Sequence, residues 1–328
     1  MTLGHCARRN GGLLIGRFPG HWWALILGGS SGFGLATARK LAEHGVNLAL
    51  VHRDRRGAMP RIEPEFEKLR GAGVEVRTWN ADALDAATRE RILDELGEVL
   101  GSAGRVRLLL HSIAFGNLKP LAIAPPAREN ALRALAGELG IDAAELAPKI
   151  EALYAQGFDE FLTLAPAQGR ASSAVLDEED VARTVHSMGT SLLGWTQSLL
   201  RRELFQADAR VLGLTSEGNS VAWSGYAAVS AAKAALEALS RSLAVELAPF
   251  GVRCNVVQPG VTDTPALRLI PGSDRLKSHA RLRNPFRRLT TPEDVANAIC
   301  LLSTDEARWI NGEVIRVDGG EHVAGAAW

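Results

Sequence analysis

The chain has 328 residues, with 37 basic and 37 acidic side chains, 46% hydrophobic and 23% charged residues. The balanced charge excludes the basic field of a nucleic-acid binder, and the apolar fraction excludes a disordered chain. Three cysteines far apart in sequence, Cys6, Cys254 and Cys300, form no CxxC pair and point to reduced thiols in a cytoplasmic protein rather than a disulfide framework.

The first segment, residues 1–20, holds two arginines but no sustained apolar run before Arg17. A secretory leader needs roughly 7–15 apolar residues in a row, so this stretch is expected to be an N-terminal extension. No run approaches the ~20 apolar residues of a membrane span. The rest, residues 21–328, is expected to form a single domain.

The first strand is expected at 23–27 ("WALIL") and runs into "GGSSGFG", which opens a helix from Phe33 to His44 that stops at Gly45. Gly28, Gly32 and Gly34 have GxxxGxG spacing. Glycines there allow a sharp turn and close approach of the backbone to a pyrophosphate, and the helix N-terminus offers N–H groups and a positive dipole end. Ser30 and Ser31 add hydroxyl donors, and Phe33 sits at the helix start. The pattern predicts a dinucleotide site.

The second strand, 46–51, ends in "VHRDRR" instead of a lone carboxylate. A carboxylate would hold a ribose 2′-hydroxyl, whereas arginine accommodates a 2′-phosphate. Arg53, Arg55 and Arg56 therefore favour NADPH, and Asp54 keeps NADH as the alternative. The third strand, 74–79, leads into "NADA", where Asp82 is placed to accept from an adenine amino group, with Ala83 beside it. A helix follows from Ala86 to Leu100, stopped by Gly101. The fourth strand, 106–110, runs into His111, Ser112 and Ile113, expected in the wall of the cofactor site.

Between Phe115 and Val181 lie 65 residues, far more than a crossover helix requires. Residues 125–140 and 141–158 are helix-like, the second opening with Asp142 and Glu145 in capping-box spacing. This predicts a helical insertion, 117–177, at the carboxyl end of the fourth strand. Such an edge is where ligands bind in open α/β sheets, so the insertion reads either as a lid or as a stabilising or oligomer-contacting appendage. His186 and Tyr154 read as structural, Tyr154 packing inside the insertion.

Strands at 209–214, 252–257 and 313–317 complete about seven, alternating with helices. The fold class is α/β, a Rossmann-like doubly wound parallel sheet with a helical insertion after strand four.

Tyrosine occurs only twice, and Tyr226 stands seven positions before Lys233 in "SGYAAVSAAK", with Ser216 seventeen before that lysine. On a helix a seven-residue spacing covers roughly 10 Å, against about 6 Å for four residues. A ketone takes up hydride at the carbon bearing its oxygen, about 1.2 Å away. An enoyl thioester takes it up at Cβ, and charge appears on an oxygen on the order of 3 Å further along. The displaced phenol suits the second geometry. In this reading Tyr226 holds the developing enolate oxygen, Lys233 holds the nicotinamide ribose and stabilises charge, and Ser216 is a second donor.

Over residues 23–320 the glycine motif, "QPGVTDT" at 258–264 and "VDGG" at 317–320 resemble the short-chain dehydrogenase/reductase superfamily. The resemblance implies that Pro259, Gly260, Val261 and Thr262 lie against the nicotinamide. Most members carry Asn-Asn-Ala-Gly where this chain has "HSIAFG" (111–116), an asparagine where it has Ser191, and tyrosine where it has Val229. These three departures resemble the bacterial enoyl-acyl-carrier-protein reductases, in which an HSI-type segment accompanies Tyr-x6-Lys. The resemblance implies an NADPH-dependent enoyl-thioester reductase without a metal, acting on an acyl-carrier-protein or coenzyme A thioester. It also implies homo-oligomers, tetramer or dimer, built on two long helices near 178–205 and 227–248. The insertion has no counterpart of its length in that group. The alternative is a carbonyl reductase or alcohol dehydrogenase using the same residues; a catalytically idle cofactor-binding protein fits the intact Tyr–Lys–Ser set less well. Seven basic residues and one acid between Arg268 and Arg288 would suit a phosphate-bearing handle on the substrate, or else form a solvated helical face.

Overall fold

The computed structural model describes residues 16–123, 131–164, 174–270 and 272–325. Seven strands form one sheet: β1 (Trp22–Leu27), β2 (Asn47–His52), β3 (Val76–Asn80), β4 (Arg105–His111), β5 (Phe205–Leu214), β6 (Arg253–Pro259) and β7 (Val314–Val317). Their order is β3-β2-β1-β4-β5-β6-β7, parallel throughout. Each strand had been marked by its apolar run, and each falls within a few residues of that run.

Along β1 the side chains alternate between two cores, as a strand's two-residue period requires. Trp23, Leu25 and Leu27 face one core, with α3 (Ala86–Leu100) and two further helices, α7 (Ser191–Arg201) and α8 (Ala227–Glu246). Ala24 and Ile26 face the other, with α1 (Gly32–Glu43), α2 (Met59–Arg70) and α11 (Pro292–Leu302). Both faces of the sheet are covered, which is why its strands read as near-continuous apolar runs. Fully burying a leucine such as Leu25 contributes about 1.5–3 kcal/mol.

The insertion folds around a small core of its own. Leu132 and Ala136 on α4 (Ala131–Leu139) meet Leu146 and Ile150 on α5 (Ala143–Ala155). Residues 124–130, part of the first expected helix, lie outside the described residues, as do 1–15 of the N-terminal extension. Asp142 caps α5 by accepting from the N–H of Ala144. The long helix expected from 178 is divided: α6 (Glu178–Val185) carries a reciprocal capping box between Asp177 and Asp180, and a π-helical turn at His186–Thr190 separates it from α7. After β6 come the short α9 (Pro265–Arg268) and α10 (Ser273–Arg283).

Among the described residues no helix is long and apolar enough to cross a membrane, and no His/Cys/Asp/Glu group is arranged to hold a metal. Cys254 and Cys300 are buried and free, and burial pushes their thiols up to about 12 and 11, which leaves them inert. Cys6 lies outside the described residues.

Candidate active site

The strand order reverses between β1 and β4, and a crevice opens at their carboxyl ends. The chain leaves β1 through Gly28 at φ +90°, where a Cβ would stand 2.5 Å from the carbonyl oxygen of Ser112; only glycine lets the two strand ends approach so closely. A Cβ on Gly34 would stand 2.1 Å from the oxygen of Gly28, so the first turn of α1 packs directly on the loop. Ser31, the N-cap, makes no side-chain capping bond. No side chain caps the N–H groups that open this helix, and with Ser30 and Gly32 they would suit a pyrophosphate.

At the far end of the crevice, Arg53 donates to Asp82 at 2.7 Å and lies over the ring of Phe115, 4.8 Å from its centroid. The other oxygen of Asp82 accepts from the N–H of Leu84. Asp54 is turned inward instead, 2.9 Å from Nδ1 of buried His52, while Arg55 and Arg56 are exposed. Ala83 is buried, and its carbonyl accepts from the indole N–H of Trp195.

One cavity brings together Phe33, Ser112, Ile113, Ser216, Tyr226, Lys233 and Pro259 through Thr262, all expected at the site. The hydroxyls of Tyr226 and Ser216 are 3.2 Å apart. Tyr226 is not inside the helix. It is the N-cap residue of α8, and its ring folds back over Gly218, where a Cβ would stand 2.3 Å from the ring, and beside Trp223. Gly218 thus makes room for the phenol, and Trp223 screens it. Burial raises the phenol above its ordinary range, and the bond with Ser216 partly offsets this. At the position where a tyrosine four residues before the lysine would stand, Val229 is buried against Met188 and Ala232.

Lys233 is buried two turns into α8, and its ammonium donates to the carbonyl of Leu214 at 2.7 Å. Burial pushes it down to about 8, opposed by Glu237 one turn further on. Glu237 itself accepts from Thr215 and Asn219, which fixes the loop carrying Ser216.

His111 is fully buried at the end of β4, and its Nε2 lies 2.8 Å from Oγ of Ser191, which donates to the carbonyl of Ser187. With its own proton committed, Ser191 accepts from His111, which fixes the proton on Nε2. Burial, and next the charge of Lys233, push the imidazole down to about 3, so it is neutral behind the lysine. The two residues that departed separately in sequence are one hydrogen-bonded pair. The π-helical turn, a distortion common beside functional sites, leads directly into Ser191.

Sequence reasoning missed a polar group on the same cavity: Glu217, Arg283, Glu321 and His322. Their signal was adjacency, Glu217 following Ser216 and Glu321–His322 following "VDGG". The basic segment around α10 is largely paired: Arg268 with Asp263, Lys277 with Asp274, Arg281 with Asp159, Arg283 with Glu217 and Glu321, Arg288 with Asp294. Tyr154, expected to pack within the insertion, lines a groove against Ser278 and Arg281 of α10. His186 is exposed, near the carbonyl of Leu84.

Residues 144–322 match the family model described as enoyl-(acyl carrier protein) reductase, and residues 22–127 the one for short chain dehydrogenase. A 3-oxoacyl-[acyl-carrier-protein] reductase FabG of Aquifex aeolicus is 35% identical over 45% of this chain and 57% of its own length. The cis-4-hydroxycyclohexanecarboxylate dehydrogenase of Sinomonas cyclohexanicum is 36% identical over 45% and 59%. These matches span about half the length of those relatives. A FabG of Staphylococcus aureus is 25% identical over 92% of this chain and 98% of its own. Among solved structures, the enoyl-(acyl-carrier-protein) reductase of Anaplasma phagocytophilum in complex with NAD superposes with a TM-score of 0.68 at 20% identity, covering 97% of this chain and 98% of its own. The enoyl-[acyl-carrier-protein] reductase (NADH) of Aquifex aeolicus gives 0.67 at 23%, covering 93% and 97%. At these identities the structures speak for the fold alone.

Proposed function

Because the chain belongs to the short-chain dehydrogenase/reductase family, we propose that it is an NADPH-dependent enoyl-thioester reductase. The observation that carries this reading is the placement of the phenol. Tyr226 stands at the start of α8, seven residues before Lys233, while the four-residue position is filled by Val229 in an apolar contact. When bound, a reduced nicotinamide supplies the hydride that reaches Cβ of the substrate.

The residues of the chain do the rest. The hydroxyl of Tyr226 donates to the thioester oxygen as negative charge builds there, the kind of donor that contributes most to such reactions. Ser216, 3.2 Å away, orients the phenol and offers the same oxygen a second donor. The Lys233 ammonium, buried in the wall of the same cavity, adds positive charge without exposure to water. Ile113, Met188, Val229, Leu267 and Ile270 give the cavity apolar walls suited to an acyl chain.

Support for NADPH comes from Asp54, which is turned onto His52 and leaves Arg53 at the crevice mouth. The acyl carrier is proposed to be coenzyme A or an acyl-carrier protein, the working assembly a cytoplasmic homo-oligomer. A second reading, reduction of 3-oxoacyl thioesters, is favoured by the direct Tyr226–Ser216 bond, since two converging hydroxyls also suit a carbonyl oxygen. Oxidation of NADPH by purified protein with 2-hexenoyl-CoA against 3-oxohexanoyl-CoA separates the two. Turnover of the oxo substrate alone would overturn the enoyl reading.

A further inference from the structure

Beside Ser216 the cavity wall stops being apolar. Glu217, the next residue, is 8% exposed, and Glu321 is 2% exposed. Arg283, at the last turn of α10, donates to both: 2.6 Å to Oε2 of Glu217 and 3.2 Å to Oε1 of Glu321. The second oxygen of Glu321 accepts from the N–H of Val261 at 3.2 Å. The other oxygen of Glu217 lies 3.5 Å from Nδ1 of His322. All four side chains line the cavity that holds Tyr226 and Lys233.

Buried charges of this kind are costly, and a fold retains them when their remaining hydrogen-bonding capacity is used. Here it is not used up within the chain. Two carboxylates face one guanidinium, Nε of Arg283 is a buried donor without an acceptor, and Nδ1 of His322 has no hydrogen-bond partner. Burial raises the carboxyl of Glu321 above its ordinary range, a further sign of incomplete compensation. A ligand group that completes the set must donate to a carboxylate and accept from Arg283 at once. A carboxylate is repelled by the two glutamates, an ammonium has no lone pair for the arginine, and a hydrocarbon leaves the set as it is. A hydroxyl does both, as does an amide; the amides of a coenzyme A thioester lie outside its acyl portion, which leaves a hydroxyl as the group that can vary there.

We propose that Glu217, Arg283, Glu321 and His322 form a recognition subsite for a hydroxyl on the acyl portion of the substrate, so that the enzyme prefers hydroxylated acyl thioesters to plain ones. The inference rests on reading the cavity as a thioester reductase site, but not on which carbon is reduced.

The test uses the full-length protein with NADPH and 2-hexenoyl-CoA beside its 4-, 5- and 6-hydroxy derivatives, with 3-oxohexanoyl-CoA and its 6-hydroxy derivative as a parallel pair. At least one hydroxylated substrate is expected to exceed its plain counterpart by about tenfold or more in kcat/KM, mostly through KM, as a charge-assisted hydrogen bond warrants. In Glu217→Gln and Arg283→Lys, each shown to bind NADPH by fluorescence, that ratio should fall to within about twofold. If only the oxo pair turns over, the enoyl reading fails while the hydroxyl ratio still judges the subsite. If no thioester turns over, calorimetric affinities of the same thioesters with NADP+ present give the ratio instead. Ratios near one in the unaltered protein at every hydroxyl position, or ratios unchanged in both variants, would overturn the subsite.

Discussion

The hydroxyl of Tyr226 meets that of Ser216 at 3.2 Å across a loop that leaves β5 and returns at the start of α8. Neither residue lies within a helix or strand, so their meeting depends on what holds the loop. Glu237 anchors Thr215 and Asn219 from α8, and Gly218 leaves the space into which the phenol ring folds. Tyr226→Phe keeps that packing and removes only the donor. NADPH oxidation with an enoyl-CoA should fall by two to three orders of magnitude, the range lost with one oxyanion donor, with cofactor affinity unchanged. Ser216→Ala should cost less, about tenfold, because the phenol remains. Steady-state kinetics of the two variants check the order, and equal losses would mean that Ser216 itself is the principal donor.

Lys233 supplies a pH dependence with a definite sign. Burial holds its ammonium down to about 8. Below that value the charge is present to stabilise the developing anion; above it the charge is lost. The kcat/KM for reduction should therefore fall as pH rises through about 8, approaching tenfold per unit. Lys233→Met should lower activity at neutral pH and flatten that limb. The phenol is raised by burial and the imidazole of His111 is already neutral, so neither competes for the assignment. Linkage gives a second check. Between about 8 and the ordinary lysine value near 10.4, the unfolded chain holds a proton that the folded one does not, so this group makes stability rise with pH across that window.

Arg53 tests the cofactor. Its pair with Asp82 is half exposed, 50% and 41% for the two side chains, and exposed pairs contribute only about 0–1 kcal/mol. A 2′-phosphate, which offers a charge-assisted bond of about 1.5–3 kcal/mol, can therefore draw the guanidinium away. Arg53→Ala should weaken NADPH by at least about tenfold and NADH by less than about threefold, read by fluorescence titration with each. Equal weakening would refute the phosphate role.

The sequence was legible where one period or one motif decides the outcome. Apolar runs marked each strand because both faces of the sheet are covered, and the glycine spacing marked the turn after β1 because Gly28 and Gly34 leave no room for a Cβ. Spacing singles out Tyr226, Lys233 and Ser216, which share one cavity, yet it suggests a single helix, whereas Tyr226 stands outside the first turn. What stayed hidden comes from distant segments. Arg283 meets Glu217 from 66 positions away and Glu321 from 38, and no local pattern records such pairings. His111 and Ser191 stood out as two unrelated departures; only the fold, across 80 positions, makes them a pair.

The insertion, by sequence either a lid or an appendage, is tied to α10. Asp159, which follows α5, receives both arms of Arg281 at 2.7 and 2.6 Å, and Arg275 donates to the carbonyl of Leu162. The insertion thus holds α10 at its first and last turns, through Arg275 and Arg281, while Arg283 at the end of the same helix faces the cavity. A brace on a helix that lines the substrate cavity should act on binding more than on chemistry. Asp159→Ala leaves Arg281 without its carboxylate, frees α10 to move, and should raise KM for the thioester several-fold with kcat within about twofold. Limited proteolysis should cut faster between α9 and α10, and substrate at saturation should restore protection. A lower melting temperature with KM unchanged would make the insertion a stabilising appendage instead.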